Sequence, residues 1–348
     1  MNPYILTTLF FGLGLGTTIT LASSHWLLAW MGLELNTLAI IPLMAQRHHP
    51  RAVEATTKYF LVQAAAAATL LFASITNAWL TGQWEIQQLS HPLPTTMITL
   101  ALALKIGLAP LHAWLPEVLQ GLDLTVGFIL LTWQKLAPFA LLLQIQPTNP
   151  NMFIFLGLAS TLVGGWGGLN QTQLRKILAY SSIAHLGWMI IIIQYSPSLM
   201  FLTLLLYFIM TASAFLIFKA NNATNINMLA TSWANNPTLT AFVPLVLLSL
   251  GGLPPFTGFM PKWLILQELT KQELTTTATM LALTALLSLY FYLRLTYAMT
   301  LTAPPNNITR TTSWRLFSTQ YTLPLAIMTT LTICLLPLTP TTIALITS

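Results

Sequence analysis

The amino-acid sequence predicts an all-α polytopic membrane protein: about eleven transmembrane helices, in two inverted five-helix repeats that each contain a broken fourth helix, plus a C-terminal helix. Three observations lead there. The 348 residues are 55% hydrophobic and only 6% charged, with a mean hydropathy of +0.73, whereas soluble domains carry about a quarter charged residues. The apolar runs are long and continuous, near the roughly 20 residues that a helix needs to cross a bilayer; strands of a membrane barrel alternate in stretches of about ten. Two of the runs are interrupted by clusters of proline and glycine, five spans apart.

Between polar breaks the expected crossings fall near residues 3–22, 25–45, 57–80, 94–118, 123–144, 150–170, 174–195, 197–219, 238–268, 274–300 and 322–345. Strand content is expected to be negligible. The fourth crossing carries PLHAWLP at 110–116 and the ninth carries GGLPPFTGFMPKW at 251–263. Gly251, Gly252, Pro254, Pro255 and Gly258 cannot all occupy a regular helix. Residues 1–147 and 148–300 are therefore read as two repeats of five crossings, and the odd number gives them opposite orientation. Residues 301–348 supply a loop and the final helix. Irregular backbone at membrane depth persists only where protein or water satisfies its amides and carbonyls, so each break marks an expected polar cavity.

Arg47, Arg51, Lys58, Arg175, Lys176, Lys219, Arg310 and Arg315 fall in or beside even-numbered loops, and Glu85, Lys271 and Glu273 in odd-numbered ones. The positive-inside tendency then places the even loops and the N-terminus on the side of synthesis and the C-terminus opposite. The first residues, MNPYILTTLFFGLGLG, lack a basic n-region and an Arg-rich amphipathic pattern, so neither a cleaved signal nor a transit peptide is expected. The net charge of +6 comes from singly scattered basic residues and forms no phosphate-tracking patch, which argues against nucleic acid as a partner. A single cysteine, Cys334, cannot supply the four thiolates of an ordinary iron–sulfur cluster. The histidines are too dispersed to suggest a metal site. Gly12, Gly14, Gly16 and the GGWGG at 164–168 lie within apolar runs, where they serve helix packing rather than nucleotide binding.

Four ionisable residues lie well inside apolar segments: Glu34, Lys105, Lys135 and Lys262. Each charge at the centre of a spanning helix costs about 2.5–3.5 kcal/mol on the insertion scale, so the set needs partners, water or neutralisation. Glu34 paired with one lysine leaves at least two amines over, since Glu117 is the remaining acid near a membrane segment. Burial and opposite charge shift proton affinity in opposite directions, so groups of this kind hold or release a proton according to local geometry. His112 stands in the first break, and His185 follows Ser181 by one helical turn. His25, His48, His49 and His91 fall near helix ends or in loops.

KIGLAPLHAWLPEV, LRKILAYSSIAHLGWM and LGGLPPFTGFMPKW, in this order, resemble hallmark segments of the antiporter-like membrane subunits of NADH:ubiquinone oxidoreductase, respiratory complex I. The likeness runs along almost the whole chain, and its length, threonine-rich texture and MNPYIL start resemble the vertebrate mitochondrial branch. The resemblance implies a core membrane subunit that takes part in proton translocation coupled to electron transfer from NADH to ubiquinone. It implies the mitochondrial inner membrane, with the N-terminus toward the matrix and the C-terminus toward the intermembrane space. Other membrane subunits of the complex and the lipid bilayer are the implied partners, and protons the transported species. No cofactor is expected on this chain; NADH, flavin, iron–sulfur clusters and ubiquinone belong to other subunits. Carried over residue by residue, the family's mid-membrane polar axis falls on Glu34, Lys105, Lys135 and Lys262, with His112 and His185 on the same hydrated path. In the implied mechanism, redox energy released elsewhere alters the Glu34–Lys105 pairing, and the proton passes by way of Lys135 toward Lys262. Typical members carry further N-terminal helices, so lipid or another subunit must cover the N-terminal side. Two alternatives share the fold: a subunit of a cation/proton antiporter, and a structural scaffold that pumps nothing.

Overall fold

The computed structural model describes residues 2–46, 49–89, 91–145, 150–234, 237–302 and 322–347. Every regular element among them is helical, and backbone pairing outside helices is limited to the isolated bridges His25–Glu85 and Gln173–Asn225. Six helical stretches among the described residues are long and apolar enough to cross a membrane, Leu124–Gln144 being taken as one. Large apolar side chains such as Phe11 and Leu61 lie 67% exposed on them, as suits a surface solvated by lipid. The chain is an all-helical polytopic membrane protein. Arg47, His48, Arg310 and Arg315 lie outside the described residues, as does most of the loop expected after residue 300.

The chain divides into two compact units, Met1–Ser160 and Thr161–Ser348. In the first, α1 (Pro3–Ala22) and α2 (Trp26–Met44) coincide closely with the expected crossings. Asn2 opens α1 by accepting a hydrogen bond from the Tyr4 amide, ahead of a proline whose missing N–H is harmless there. The two helices approach closely at a pair of glycines: a Cβ on Gly32 would stand 2.9 Å from the Gly16 carbonyl and 2.6 Å from Thr20 Cγ2. Helix α3 (Pro50–Thr81) begins seven residues before the apolar run, because His49 Nδ1 accepts from the Arg51 amide and Pro50 fits the first helical position. Lys58 thus lies two turns into the helix.

The fourth crossing is split into α4 (Pro92–Ile106) and α5 (Trp114–Gly121). Helix α4 ends at Gly107, whose φ of +86° is reached without strain only by glycine. The amides of Gly107 and Leu108 both return to the Ala103 carbonyl at 2.9 Å, closing the helix end. The fifth crossing, expected as one helix, is interrupted at Thr132 between α6 (Leu124–Leu131) and α7 (Trp133–Gln144). Thr132 there departs from helical geometry, with φ −111° and ψ −70°, while Pro138 lies inside α7. Helix α8 (Pro150–Gly168) follows.

The second unit repeats the local devices of the first. Helices α9 (Leu174–Ile192) and α10 (Pro197–Ala220) precede the short α11 (Ile226–Ala230), and α12 (Pro237–Gly251) and α13 (Phe259–Lys271) form the second broken pair. Gly252 has a φ of +78°, and the amides of Gly252 and Leu253 return to the Leu248 carbonyl at 3.1 and 3.3 Å. GLAPLHAWLPE at 107–117 and GLPPFTGFMPK at 252–262 therefore build the same turn. The bridges recur as well: Trp26 N to Trp84 O and Ile86 N to Ser24 O span 3.1 and 3.0 Å, while Leu174 N to Thr224 O and Ile226 N to Thr172 O span 3.0 and 3.2 Å. Helix α14 (Thr275–Leu301) packs against both α12 and α13. The expected single helix near 322–345 is instead α15 (Thr322–Cys334) and α16 (Thr339–Thr347), joined by a one-turn 3₁₀ segment and bent by 70°. Pro337 and Pro340 each remove a ladder hydrogen bond there.

The contact between α1 and α2 makes a prediction. Gly32→Val drives a branched side chain into Gly16 and Thr20 and should destabilise the unit by about 1–3 kcal/mol, read as a lowered unfolding temperature of the solubilised protein. Gly14→Val, whose Cβ meets nothing within 4 Å, should leave that temperature nearly unchanged.

Candidate functional site

A helix broken at membrane depth leaves carbonyls that water cannot reach. At the end of α4 three of them have a partner inside the first unit. Ala103 O takes the two turn amides, Leu104 O accepts from the Trp114 indole at 3.1 Å, and Lys105 O accepts from Gln63 Nε2 at 3.4 Å. With its backbone served in this way, Lys105 turns its side chain inward.

It reaches a small cavity enclosed by α2, α3, α4, α5, α6 and α7, which Lys135 of α7 also lines. The two lysines are 6% and 3% exposed. Space for the centres of water molecules amounts to about 20 Å³, against the roughly 10–15 Å³ that one water needs. The cavity accommodates one water rather than a file of them. Neutral polar groups complete the wall: Asn36 and Thr37 of α2, Tyr59 and Gln63 of α3, and Gln134 of α7. Gln134 Nε2 donates to the Asn36 carbonyl at 3.2 Å. Among the described residues, Lys105 Nζ and both polar atoms of the Asn36 side chain have no hydrogen-bond partner. An unmet buried polar group costs about 1–3 kcal/mol, so these atoms mark the cavity as a place for a polar guest.

Glu34 does not line the cavity. Leu33, Asn36 and Thr37 share the inward face of α2, and Glu34 stands one position, about 100°, round the helix. Lys105 Nζ has no hydrogen-bond partner among the described residues, so the contact pair with Glu34 that the sequence suggests is not formed. Thr37 joins Glu34 to the cavity wall, since its Oγ1 lies 3.1 Å from Glu34 Oε2 and 2.9 Å from the Glu34 carbonyl. His112 occupies the turn between α4 and α5, half-buried, with its ring facing the Pro110 carbonyl. It too is absent from the cavity wall. At the exposed end of α3, Lys58 bridges Glu54 at 2.7 Å and Glu117 at 2.9 Å, which ties α5 to α3.

In the second unit, Lys262 of α13 is half-buried and donates to the Gly251 carbonyl at 2.7 Å. There the amine performs the capping task that the Trp114 indole performs in the first unit. A Cβ on Gly252 would lie 2.8 Å from Lys262 Cδ, so the glycine also makes room for the lysine stem. His185 of α9 contacts the Tyr207 ring, centroid to centroid 5.7 Å. Arg294 of α14 donates to the Leu169 carbonyl at 2.7 Å, beyond the end of α8. No group of three or more His, Cys, Asp or Glu among the described residues is placed to hold a metal ion.

The sequence reading therefore selected the two amines that the cavity brings together and missed Asn36, Thr37, Tyr59, Gln63, Gln134 and Arg294. A signal existed for some of them. Tyr59 and Gln63 are four apart, and Asn36 and Thr37 follow Leu33 by three and four, so each set shares a helix face. Trp114→Phe keeps a ring in the turn but removes the donor to Leu104. It should destabilise the first unit by about 1–3 kcal/mol, seen as earlier thermal unfolding of the solubilised protein.

Comparison with known proteins bears on this arrangement. The family model described as "NADH:quinone oxidoreductase/Mrp antiporter, TM" matches residues 23–288, and one described as "NADH dehydrogenase subunit 2 C-terminus" matches residues 289–343. The chain is 74% identical over 340 residues to NADH-ubiquinone oxidoreductase chain 2 of Tetraodon nigroviridis, covering 98% of each. It is 71% identical over 348 residues to the protein of the same name from Salmo salar, covering 100% of each. A chain in the structure of respiratory complex I from Thermus thermophilus with bound aureothin is similar with a TM-score of 0.85 at 27% identity, over 97% of this chain and 78% of that one. The chain therefore belongs to the NADH:quinone oxidoreductase and Mrp antiporter family of transmembrane subunits, among its subunit 2 members of vertebrate type.

Proposed function

We propose that the chain is a core membrane subunit of respiratory complex I and takes part in proton translocation coupled to electron transfer from NADH to ubiquinone. The observation that carries this reading is the pair of buried amines, Lys105 and Lys135, on one cavity with room for a water. Two lysines that line one hydrocarbon-depth cavity are each costly there, which favours a role in transport over one in stabilising the fold. The pair suits a proton that is handed from one amine to the other through a water.

Glu34 supplies the control. A carboxylate near an amine favours the charged form, and its withdrawal or neutralisation disfavours it. Thr37 links the carboxylate to the cavity wall, so a change at Glu34 is felt where the amines stand. Moving one charge against 100 mV requires about 2.3 kcal/mol, within the reach of such a rearrangement. Lys262 continues the proton-transfer axis in the second unit, and His112 and His185 are relay groups of the same path in this reading. The recurrence of the same turn and the same bridges supports two repeats of five crossings each, near 1–147 and 148–300, in an eleven-span chain. Opposite orientation of the repeats, placement in the mitochondrial inner membrane and a matrix-facing N-terminus belong to this proposal. So do the assignment of all redox cofactors to other subunits and contact with neighbouring membrane subunits.

Lys105→Met, tested in the assembled complex, should lower coupled NADH:ubiquinone turnover about tenfold, a barrier change of ~1.4 kcal/mol, and lower the protons moved per NADH. Assembly and NADH oxidation by an artificial acceptor should be unchanged. Full proton output from that variant refutes the reading in favour of a scaffold, and sodium-dependent transport without electron transfer favours an antiporter.

A further inference from the structure

The Asn36 side chain is 2% exposed, lines the cavity of the first unit with Lys105 and Lys135, and has no hydrogen-bond partner for Oδ1 or Nδ2 among the described residues. Packing does not call for an amide there. Helices α1 and α2 cross at Gly16, where a Cβ would run into Asn36 Oδ1 and stand 2.8 Å from Asn36 Cγ and from the Gly32 carbonyl. The second unit makes the same crossing: a Cβ on Gly164 would stand 2.6 Å from the Ala184 amide nitrogen and 2.9 Å from the Tyr180 carbonyl. Registering the two units by the bridging residues His25 and Gln173 sets Gly164 at the position of Gly16, Tyr180 at that of Gly32 and Ala184 at that of Asn36. Alanine suffices for the crossing in the second unit, so the amide of the first answers to the cavity.

The cavity has room for one water, and Lys105 Nζ and the Asn36 amide are groups of its wall still open to it. Strung between an ammonium and a neutral amine, a water has one hydrogen and one lone pair left over. Asn36 offers an acceptor for the first and a donor for the second. Its place is set from the backbone: Gln134 Nε2 donates to the Asn36 carbonyl at 3.2 Å, and Gln134 is the residue before Lys135. The amide carries no charge, so it can hold a water in either orientation without competing for the proton, as a carboxylate beside an ammonium would.

We infer that Asn36 is the positioning residue for the water through which Lys105 and Lys135 exchange a proton. This role rests on the proton-translocating reading above. In each transfer the Lys105 ammonium gives a proton to the water oxygen, while the water gives one of its own to the neutral Lys135 amine. The water ends with two hydrogens, and Asn36 neither gains nor loses one.

The test uses the assembled complex in vesicles, carrying Asn36→Leu, which keeps the shape of the side chain and removes its hydrogen bonding, with Lys105→Met as reference. The readouts are protons moved per NADH, coupled turnover and its slowing in D2O, together with the unfolding temperature of the solubilised protein. Asn36→Leu should lower coupled turnover about fivefold, the weight of one hydrogen bond, and lower proton output. It should enlarge the D2O effect, because transfer between the amines then limits the cycle. Its unfolding temperature should be equal or higher, since a buried amide without partners has been removed. Lower output with earlier unfolding and an unchanged D2O effect places Asn36 in packing alone and overturns the positioning role. If Lys105→Met lowers output and Asn36→Leu does not, the positioning role is refuted while the transport reading stands. If neither lowers it, the transport reading itself fails. Should Asn36→Leu not assemble, Asn36→Ala carries the residue that the second unit uses at this crossing, and unchanged proton output from that variant overturns the positioning role.

Discussion

The demand that every backbone N–H and C=O find its partner within the protein governs this chain more than any other interaction, because hydrocarbon offers none. Continuous helices meet it automatically. The two broken spans do not, and both surround the interruption with purpose-placed donors. The solutions share a glycine in the left-handed region and a pair of turn amides on one carbonyl. They differ in the last donor, an indole in the first unit and an ammonium in the second.

The same demand explains the threonine-rich texture. A hydroxyl facing lipid or an apolar neighbour needs an acceptor, and threonine on a helix finds one in its own preceding turn. Thr17, Thr20 and Thr99 each donate to a carbonyl three residues back at 2.8–2.9 Å. Such residues carry their hydrogen bond with them and read as apolar to their surroundings. Thr37 is the instructive exception, because a carboxylate competes for the same hydroxyl.

Much of the fold is legible because membrane residence is written in composition, and the two breaks are legible because proline and glycine cluster where a helix cannot follow. Lys105 and Lys135 stand out for the same reason: a charge inside an apolar run is conspicuous by its cost. The interruption at Thr132 and the bend after Cys334 are harder to see, since single prolines such as Pro42 and Pro244 sit inside other helices of this chain without ending them. Whether a proline kinks or breaks a helix depends on what neighbours do for the freed carbonyl, and that is tertiary information. The neutral cavity residues escape notice likewise. An asparagine or glutamine in a helix signals nothing until its neighbours show that it faces inward, and the absence of Glu34 from the cavity wall is a matter of 100° of rotation about α2.

The Thr37 hydroxyl carries one hydrogen and stands within bonding distance of two oxygens of the same residue, the Glu34 side chain and the Glu34 main chain. One O–H bond thus has two acceptors to turn between, and turning it displaces no helix.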